Sequence, residues 1–232
     1  MTAHSPDPPN PRRPPLGPVG AAVHQHINRL QRGYLDDRAD AVAALARLRR
    51  GVGRPAGETP DLWGLTGTEP LYERYERGEF TEEAMNRAEA ATHIAVTLWS
   101  LHQQSHRTKR MHRRPGPELG TAVRRTYAAE IDEPTHKRFV RIGAAATPVE
   151  LAVRLRALVL LLRREEIPLD YGLLADQLHA WQQTGGPQRV RRSWGRSYLV
   201  VSREVVGNGS TPARAGAQDD HPETSFPEDD TP

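Results

Sequence analysis

One long stretch of the chain, residues 81–105, has the apolar spacing of a single amphipathic helix. At ~100° per residue one face carries Ala84, Ala91, Ile94, Ala95, Leu98 and Leu101. Thr81 stands before the run, and threonine is a preferred helix N-cap residue. The small alanine side chains allow a neighbouring helix to approach closely. The stretch therefore predicts a long core helix in a bundle.

Helical spacing recurs in the rest of the chain, where Gly and Pro separate the segments. The other helices are predicted over 20–31, from Asp36 or Asp37 to 50, and over 70–77, 118–130, 134–142, 147–164 and 170–181. Residues 188–201 are predicted as a helix or a short strand. Nothing favours a β-rich fold, so we expect an all-α protein with about eight helices. They form one compact unit or two small bundles that meet near residue 116.

Several predictions concern individual positions. Gly33 is expected to end the first helix, and Trp63, in a Gly/Pro loop, is expected to cover the core. The helix over 147–164 is apolar nearly all round, which predicts a central, buried position.

The two ends of the chain differ from its body in composition. Residues 1–19 contain seven prolines, and residues 203–232 contain seven acids against two bases. Neither end has the apolar content needed to bury surface, so we expect a disordered Pro-rich head and a disordered acidic tail. The part between them is expected to form two helical subdomains, 20–115 and 116–202.

Charge is distributed unevenly along the chain. The net charge is +3, but residues 203–232 carry −5 and the other 202 residues carry +8. Of the 32 bases, 30 are arginine, whose forked donors can bridge phosphate oxygens. A basic body favours a polyanionic partner, most often nucleic acid. The alternative is a basic surface that only confers solubility.

The basic residues cluster at helix ends and in the segment 107–114, which contains no acid. We expect this segment to be a mobile loop with few apolar anchors. The candidate nucleic-acid-binding residues are Arg47, Arg49, Arg50, Arg107, Lys109, Arg110, Arg113, Arg138, Arg141, Arg191 and Arg192. One alternative stays open, that the cations simply complement negative helix C-termini. Trp194 and Tyr198 are expected to anchor the last helix to the core, and some of the arginines beside them to bind nucleic acid.

The sequence offers little for catalysis. It lacks a P-loop, a GxSxG motif, a nuclease carboxylate pattern and cysteine. His102 and His106 have the spacing of metal ligands, but no HExxH motif or nearby carboxylate accompanies them. We therefore expect His102 to be a hydrogen-bonded core residue, and expect no enzyme activity, cofactor or metal. The longest apolar run, 157–162, is too short to cross a bilayer, and a cytoplasmic protein is predicted.

Several short motifs, taken together, resemble the CasB family, the small subunit of the type I-E CRISPR Cascade. They are ALARLRRG at 44–51, HQQSH at 102–106, PELG at 117–120, PLDY at 168–171 and VRRSWGRSY at 190–198. The resemblance covers residues 23–198 and leaves out the Pro-rich head and the acidic tail.

The resemblance implies a mostly helical, non-cleaving subunit, present in two copies in an RNA-guided complex that surveys DNA. The implied partners are CasA, CasC, CasE, a second copy of the chain, crRNA and target DNA. The implied role is to hold the displaced non-target strand and so stabilise the R-loop. The alternatives are a free-standing nucleic-acid-binding regulator and a metal hydrolase that uses His102 and His106.

Overall fold

The computed structural model describes residues 15–127 and 133–207, with side chains as far as Leu199. Its helices are α1 (Pro18–Leu35), α2 (Ala39–Leu48), α3 (Glu69–Glu76), α4 (Glu82–Gln103), α5 (Leu119–Arg124), α6 (Glu133–Gly143), α7 (Pro148–Arg164), α8 (Tyr171–Trp181) and α9 (Gly186–Gly207). Short 3₁₀ turns at Arg49–Gly51, Ala56–Glu58 and Pro60–Leu62 follow α2. No strand occurs among the described residues, and the all-α prediction is confirmed. The predictions for residues 1–14, 128–132 and 208–232 lie outside this part of the chain.

Helix α4 runs through the middle of the bundle. Every residue from 91 to 100 is buried, and α1, α2, α3, α7 and α8 all pack against the helix. The Thr81 hydroxyl accepts a hydrogen bond from the Ala84 N–H at 3.2 Å. The predicted long core helix and its cap are therefore both present.

Helix α7 is not the all-round buried helix that its apolar pattern predicted. Its main stripe, which includes Leu155 and Leu158, is buried, but Val153 is 53% exposed and Leu160 is 41% exposed. One side of the helix is thus left open, and α4 holds the central position instead.

The first and eighth helices cross closely. A Cβ atom at Gly20 would lie 2.5 Å from the Gly172 carbonyl oxygen, so only glycine permits this approach. The close crossing lets Asp176 of α8 accept hydrogen bonds from the N–H groups of Gly17, at 2.8 Å, and Gly20, at 2.7 Å. The carboxylate thereby caps α1 from another helix. The described helices before and after residue 115 share one hydrophobic core.

The connection between α1 and α2 differs from its prediction. α1 continues through Gly33 to Leu35, and Gly33 faces α2, where an added Cβ would lie 2.9 Å from the Ala41 Cβ. The glycine therefore serves close packing and does not end the helix. Asp37 has a φ of 54° and does not cap α2, whose N-cap residue is Arg38 without a capping side-chain bond.

Further differences concern the ends of helices and one aromatic residue. Helix α5 ends at Arg124 instead of continuing to 130. α1 begins at Pro18, before the predicted start at 20, and α9 covers Gly186–Gly207, whereas the prediction was 188–201. Trp63 is 71% exposed, and the adjacent Leu62, 1% exposed, fills the core position expected for it.

The last element is a helix, and its aromatic residues anchor it. Trp194 is buried, stacks on Trp181 with ring centroids 5.6 Å apart, and donates a hydrogen bond to Gln177 at 2.7 Å. Tyr198 is also buried and stacks on Phe139 of α6. No helix in the described part of the chain has both the length and the apolar character needed to cross a membrane.

Candidate nucleic-acid interface

Residues 107–114, which we call the basic loop, are held by a buried glutamine at the end of α4. Gln103 accepts a hydrogen bond from the Met111 N–H at 3.0 Å and donates to the carbonyls of His106, at 2.7 Å, and Lys109, at 2.9 Å. Met111 itself is buried. Met111 is thus one apolar anchor of the loop, and the polar bonds of Gln103 add to it in a way that the expectation of few apolar anchors did not include.

A second buried glutamine aligns the basic loop with α1. Gln31 accepts a hydrogen bond from the His112 N–H at 2.8 Å and donates to the His112 carbonyl at 3.0 Å. The His112 ring also contacts His24, nearer the start of α1. Arg107 contacts Asp37, just past the end of α1. His24 and Asp37 are 13 residues apart, and the helical part of this span, from His24 to Leu35, is about 16 Å long at the rise of an α-helix. The loop thus lies along most of α1.

The structure brings distant acids to some of the basic-loop cations. The ion pairs are Arg107 with Asp37 at 2.6 Å, Lys109 with Glu166, and Arg114 with Asp170 at 2.8 Å. The hydrogen bond from Lys109 lowers the pKa of Glu166. Arg110 and Arg113, by contrast, are exposed and have no ion-pair partner among the described residues.

The two unpaired arginines border a cleft of about 710 Å³ between the basic loop and α1. The lining residues of this α1 cleft are His24, Asn28, Arg32, Arg110, His112, Arg113, Arg114 and Pro115. No carboxylate is among them. The apolar spacing of α1 does not indicate Arg32, because Arg32 lies outside the apolar side of the helix. The spacing of Arg29 and Arg32, one turn apart on the polar side, could have indicated it.

Arg49, which directly follows α2, lies close to the basic loop. It lines a hollow together with Arg107, Gln104 and Ser105. On the other side of Gln104, Arg163 of α7 donates a hydrogen bond to its carbonyl at 3.1 Å. The structure therefore places three arginines from three elements around the end of α4, although they are far apart in sequence.

Arg47 and Arg50, the other two candidates at the end of α2, lie at the surface in different settings. Arg47 donates a hydrogen bond to the Asp61 carbonyl at 2.6 Å, which ties the 3₁₀ turn to α2. Arg50 is exposed. The exposed Trp63 follows the same turn, two residues after Asp61.

The remaining candidates form a second group on α6 and α9, which we call the α6/α9 group. Arg138 and Arg141 are exposed on α6, and Arg191 and Arg192 are exposed on α9. The Arg191 side chain lies beside Gly143, 3.7 Å from the position of a Cβ there, and its guanidinium stacks on Trp181. None of the four lines the α1 cleft.

The two histidines with metal-ligand spacing do not share a site. His102 is fully buried, its Nδ1 lies 2.9 Å from the Tyr171 hydroxyl, and burial lowers its pKa to about 3. His106 instead contacts the Arg163 carbonyl at 3.2 Å. The described residues contain no group of three or more side chains suited to hold a metal ion. His102 is the hydrogen-bonded core residue that was predicted.

Comparison with known proteins decides the family. The model of the CRISPR-associated protein Cse2 family matches residues 44–199, from α2 into α9. The chain belongs to the Cse2 (CasB) family. The Cse2 match begins after α1, so the α1 side of the cleft lies outside the matched residues.

Solved structures agree with the Cse2 assignment. CasB from Thermobifida fusca is 49% identical, with a TM-score of 0.71 over 79% of this chain and 99% of that chain. A Cse2-family protein from Thermus thermophilus is 23% identical, with a TM-score of 0.55 over 78% and 97% of the two chains. A chain of a CRISPR RNA-guided surveillance complex is 21% identical, with a TM-score of 0.61 over 83% and 99%. The last two show the shared fold alone. No match was found among curated proteins.

Proposed function

We propose that this Cse2 chain is the non-catalytic small subunit of a type I-E CRISPR Cascade, acting in the cytoplasm. Its proposed partners are CasA, CasC, CasE, a second copy of itself, crRNA and target DNA. In this role it holds the displaced non-target strand and stabilises the R-loop. Membership of the Cse2 family and the fold shared with a chain of a surveillance complex support the assignment to Cascade.

The proposed role in DNA binding is supported by one observation, namely which cations of the basic loop have acidic partners and which do not. Arg107, Lys109 and Arg114 already have acidic partners, whereas Arg110 and Arg113 have none among the described residues and border a cleft without carboxylates. Arginines close together repel one another unless an anion lies between them. A phosphate backbone supplies such anions at regular spacing, and the guanidinium forks can bridge its oxygens.

Contacts of this kind fit an R-loop. Phosphate contacts hold a strand without selecting its sequence, as a subunit that meets every target must do. The exchange of DNA pairing for RNA–DNA pairing is nearly balanced, so modest backbone contacts can shift it. The α6/α9 group would extend the same surface or meet a partner subunit.

The first test is the salt dependence of DNA binding by the isolated chain. We expect sequence-independent binding whose log affinity falls linearly with log salt concentration. Arg110→Ala/Arg113→Ala should weaken binding to single-stranded DNA. It should also reduce the magnitude of the slope by about 0.7 for each phosphate that the variant no longer neutralises.

The matched control is Arg38→Ala/Arg77→Ala. Both side chains are largely exposed, at 65% and 57%, and both are paired, with Asp40 and Glu79. The control removes the same formal charge but should change the slope less. Equal effects of the two double variants would show that net charge, and not the basic loop, governs binding.

A further inference from the structure

Two histidines in the α1 cleft form a chain of hydrogen bonds that begins at α8. The Tyr171 backbone N–H donates to His112 Nδ1 at 3.1 Å, and His112 Nε2 lies 2.9 Å from His24 Nδ1. Burial lowers the pKa of His112 to about 3, so its ring is neutral at pH 7. Because Nδ1 accepts a hydrogen bond, the single proton of the ring is on Nε2.

This arrangement also assigns the proton of His24. His112 Nε2–H donates to His24 Nδ1, so neutral His24 carries its own proton on Nε2. Partial burial lowers the pKa of His24; the nearby Asp170 raises it and Arg114 lowers it further. A proton on His24 Nδ1 would also point at the His112 Nε2–H, so two donors would face each other. His24 therefore offers the cleft a neutral N–H donor with a fixed orientation.

The donors around the cleft have few acceptors. The amide nitrogen of Asn28 lies 3.3 Å from His24 Nδ1 and 3.1 Å from His24 Nε2. Nδ1 already accepts a hydrogen bond from His112, and the Nε2–H is itself a donor, so the Asn28 amide adds a further donor to the cleft. Arg32 is exposed, and the Asn28 carbonyl, at 3.3 Å, is its acceptor among the described residues. Arg110 and Arg113 face these groups from the loop. An anion with several oxygens would satisfy donors from both sides.

We propose that the α1 cleft binds one phosphate group of the nucleic-acid backbone, with His24 and Arg32 from α1 and Arg110 and Arg113 from the basic loop as its donors. His112 is a positioning residue that fixes the His24 ring. This inference rests on the proposed function and deepens it, because it names the ligand group and two contact residues. The cleft volume of about 710 Å³ leaves room for the sugars on either side of that phosphate.

The direct test follows the His24 ring by NMR in the full chain, with assignment by comparison with His24→Gln. Inorganic phosphate and a short single-stranded oligonucleotide are titrated separately, each against sodium chloride at equal ionic strength. The His24 signals should shift saturably with the oligonucleotide and, at higher concentration, with phosphate, but not with chloride. Arg32→Ala should weaken the binding of both the oligonucleotide and phosphate several-fold. Arg29→Ala, one turn away on α1 and outside the cleft, should not.

A second readout separates the hydrogen bond from charge. His24→Phe removes the donor but no charge, so DNA affinity should fall about ten-fold or more, the value of one hydrogen bond to a charged group, with the salt slope unchanged. His24→Gln keeps a donor and an acceptor and should retain most of the affinity. Arg32→Ala should reduce the magnitude of the slope by less than about 0.7 on single-stranded DNA, because Arg110 and Arg113 still contact the same phosphate.

Specific results would overturn the inference. Signals of His24 that respond to phosphate no more than to chloride, or unchanged affinity in both His24→Phe and Arg32→Ala, would remove the phosphate site from the cleft. If Arg110→Ala/Arg113→Ala still weakened DNA binding, the proposed function would stand without it. If that double variant also bound DNA normally, the proposed function would fail as well.

Discussion

At the scale of single residues, burial decides the chemistry of the histidines. His102 and His112 both have a pKa of about 3, mainly because burial disfavours the charged ring. The role of His102 could be predicted because it continues the apolar face of its helix. That of His112 could not, because it stands among five cations and its burial comes from α1 and α8, which are distant in sequence.

These two histidines make stability depend on pH. Between about pH 3 and 6.5 the unfolded chain binds protons at both rings and the folded chain does not, so the free energy of unfolding rises with pH in this window and falls on acidification. Each ring contributes up to about 1.4 kcal/mol per pH unit. Denaturant unfolding at pH 7.5 and 5.5 should show the lower stability at pH 5.5.

The matched variant is His102→Gln, compared with the parent chain over the same pH range. Its free energy of unfolding should be lower at pH 7.5 but should fall less steeply as pH decreases. Stability that increases on acidification, or an unchanged slope in the variant, would contradict the burial of a neutral His102.

At the scale of elements, local signals were predictable and long-range ones were not. Thr81 caps α4 as predicted, and Thr147 and Asp170 cap α7 and α8 at the first residues of the ranges predicted for those helices. Such signals are local, because a cap bonds an N–H only three residues away. Gly33 and Trp63 were misinterpreted because their surroundings come from elsewhere in the fold. A glycine that packs against another helix cannot be told by sequence from a glycine that ends a helix. A Trp in a loop belongs to no periodic pattern, so the sequence does not show whether it faces the core or the solvent.

Gln103 makes three of the hydrogen bonds that hold the basic loop, which gives a prediction. Gln103→Leu leaves the Met111 N–H and the carbonyls of His106 and Lys109 without their partner. Each unpaired buried group costs about 1–3 kcal/mol. Denaturant unfolding should show a decrease of at least about 2 kcal/mol in the free energy of unfolding. Amide hydrogen exchange should rise across residues 106–112.

The neighbouring position supplies the control. Gln104 is half-buried, and its side-chain oxygen accepts one long bond from Arg163, at 3.4 Å. Gln104→Leu should therefore change stability by about 0.5 kcal/mol or less. Similar decreases in both variants would mean that Gln103 does not hold the loop.

At the scale of the whole molecule, the structure sorts the predicted cations by their partners. The sequence indicated a basic body and the clusters within it, and the family resemblance indicated the fold. The sequence could not show that three of the loop cations are paired with Asp37, Glu166 and Asp170, because each acid is about 56 or more residues from its partner in the chain. Nor could it show that Arg49, Arg107 and Arg163 converge, or that Arg32 completes a cleft.

The central claim is that the unpaired arginines of the basic loop hold the displaced strand. The most direct measurement is the lifetime of the R-loop formed by a reconstituted complex containing CasA, CasC, CasE, crRNA and this chain. Complexes with Arg110→Ala/Arg113→Ala and with the control Arg38→Ala/Arg77→Ala should assemble equally well. The first should have a shorter R-loop lifetime, most clearly at high salt, and the control a lifetime close to that of the parent chain. Normal lifetimes in both complexes, or failed assembly of the first with its DNA affinity intact, would contradict the claim and make the loop a docking element.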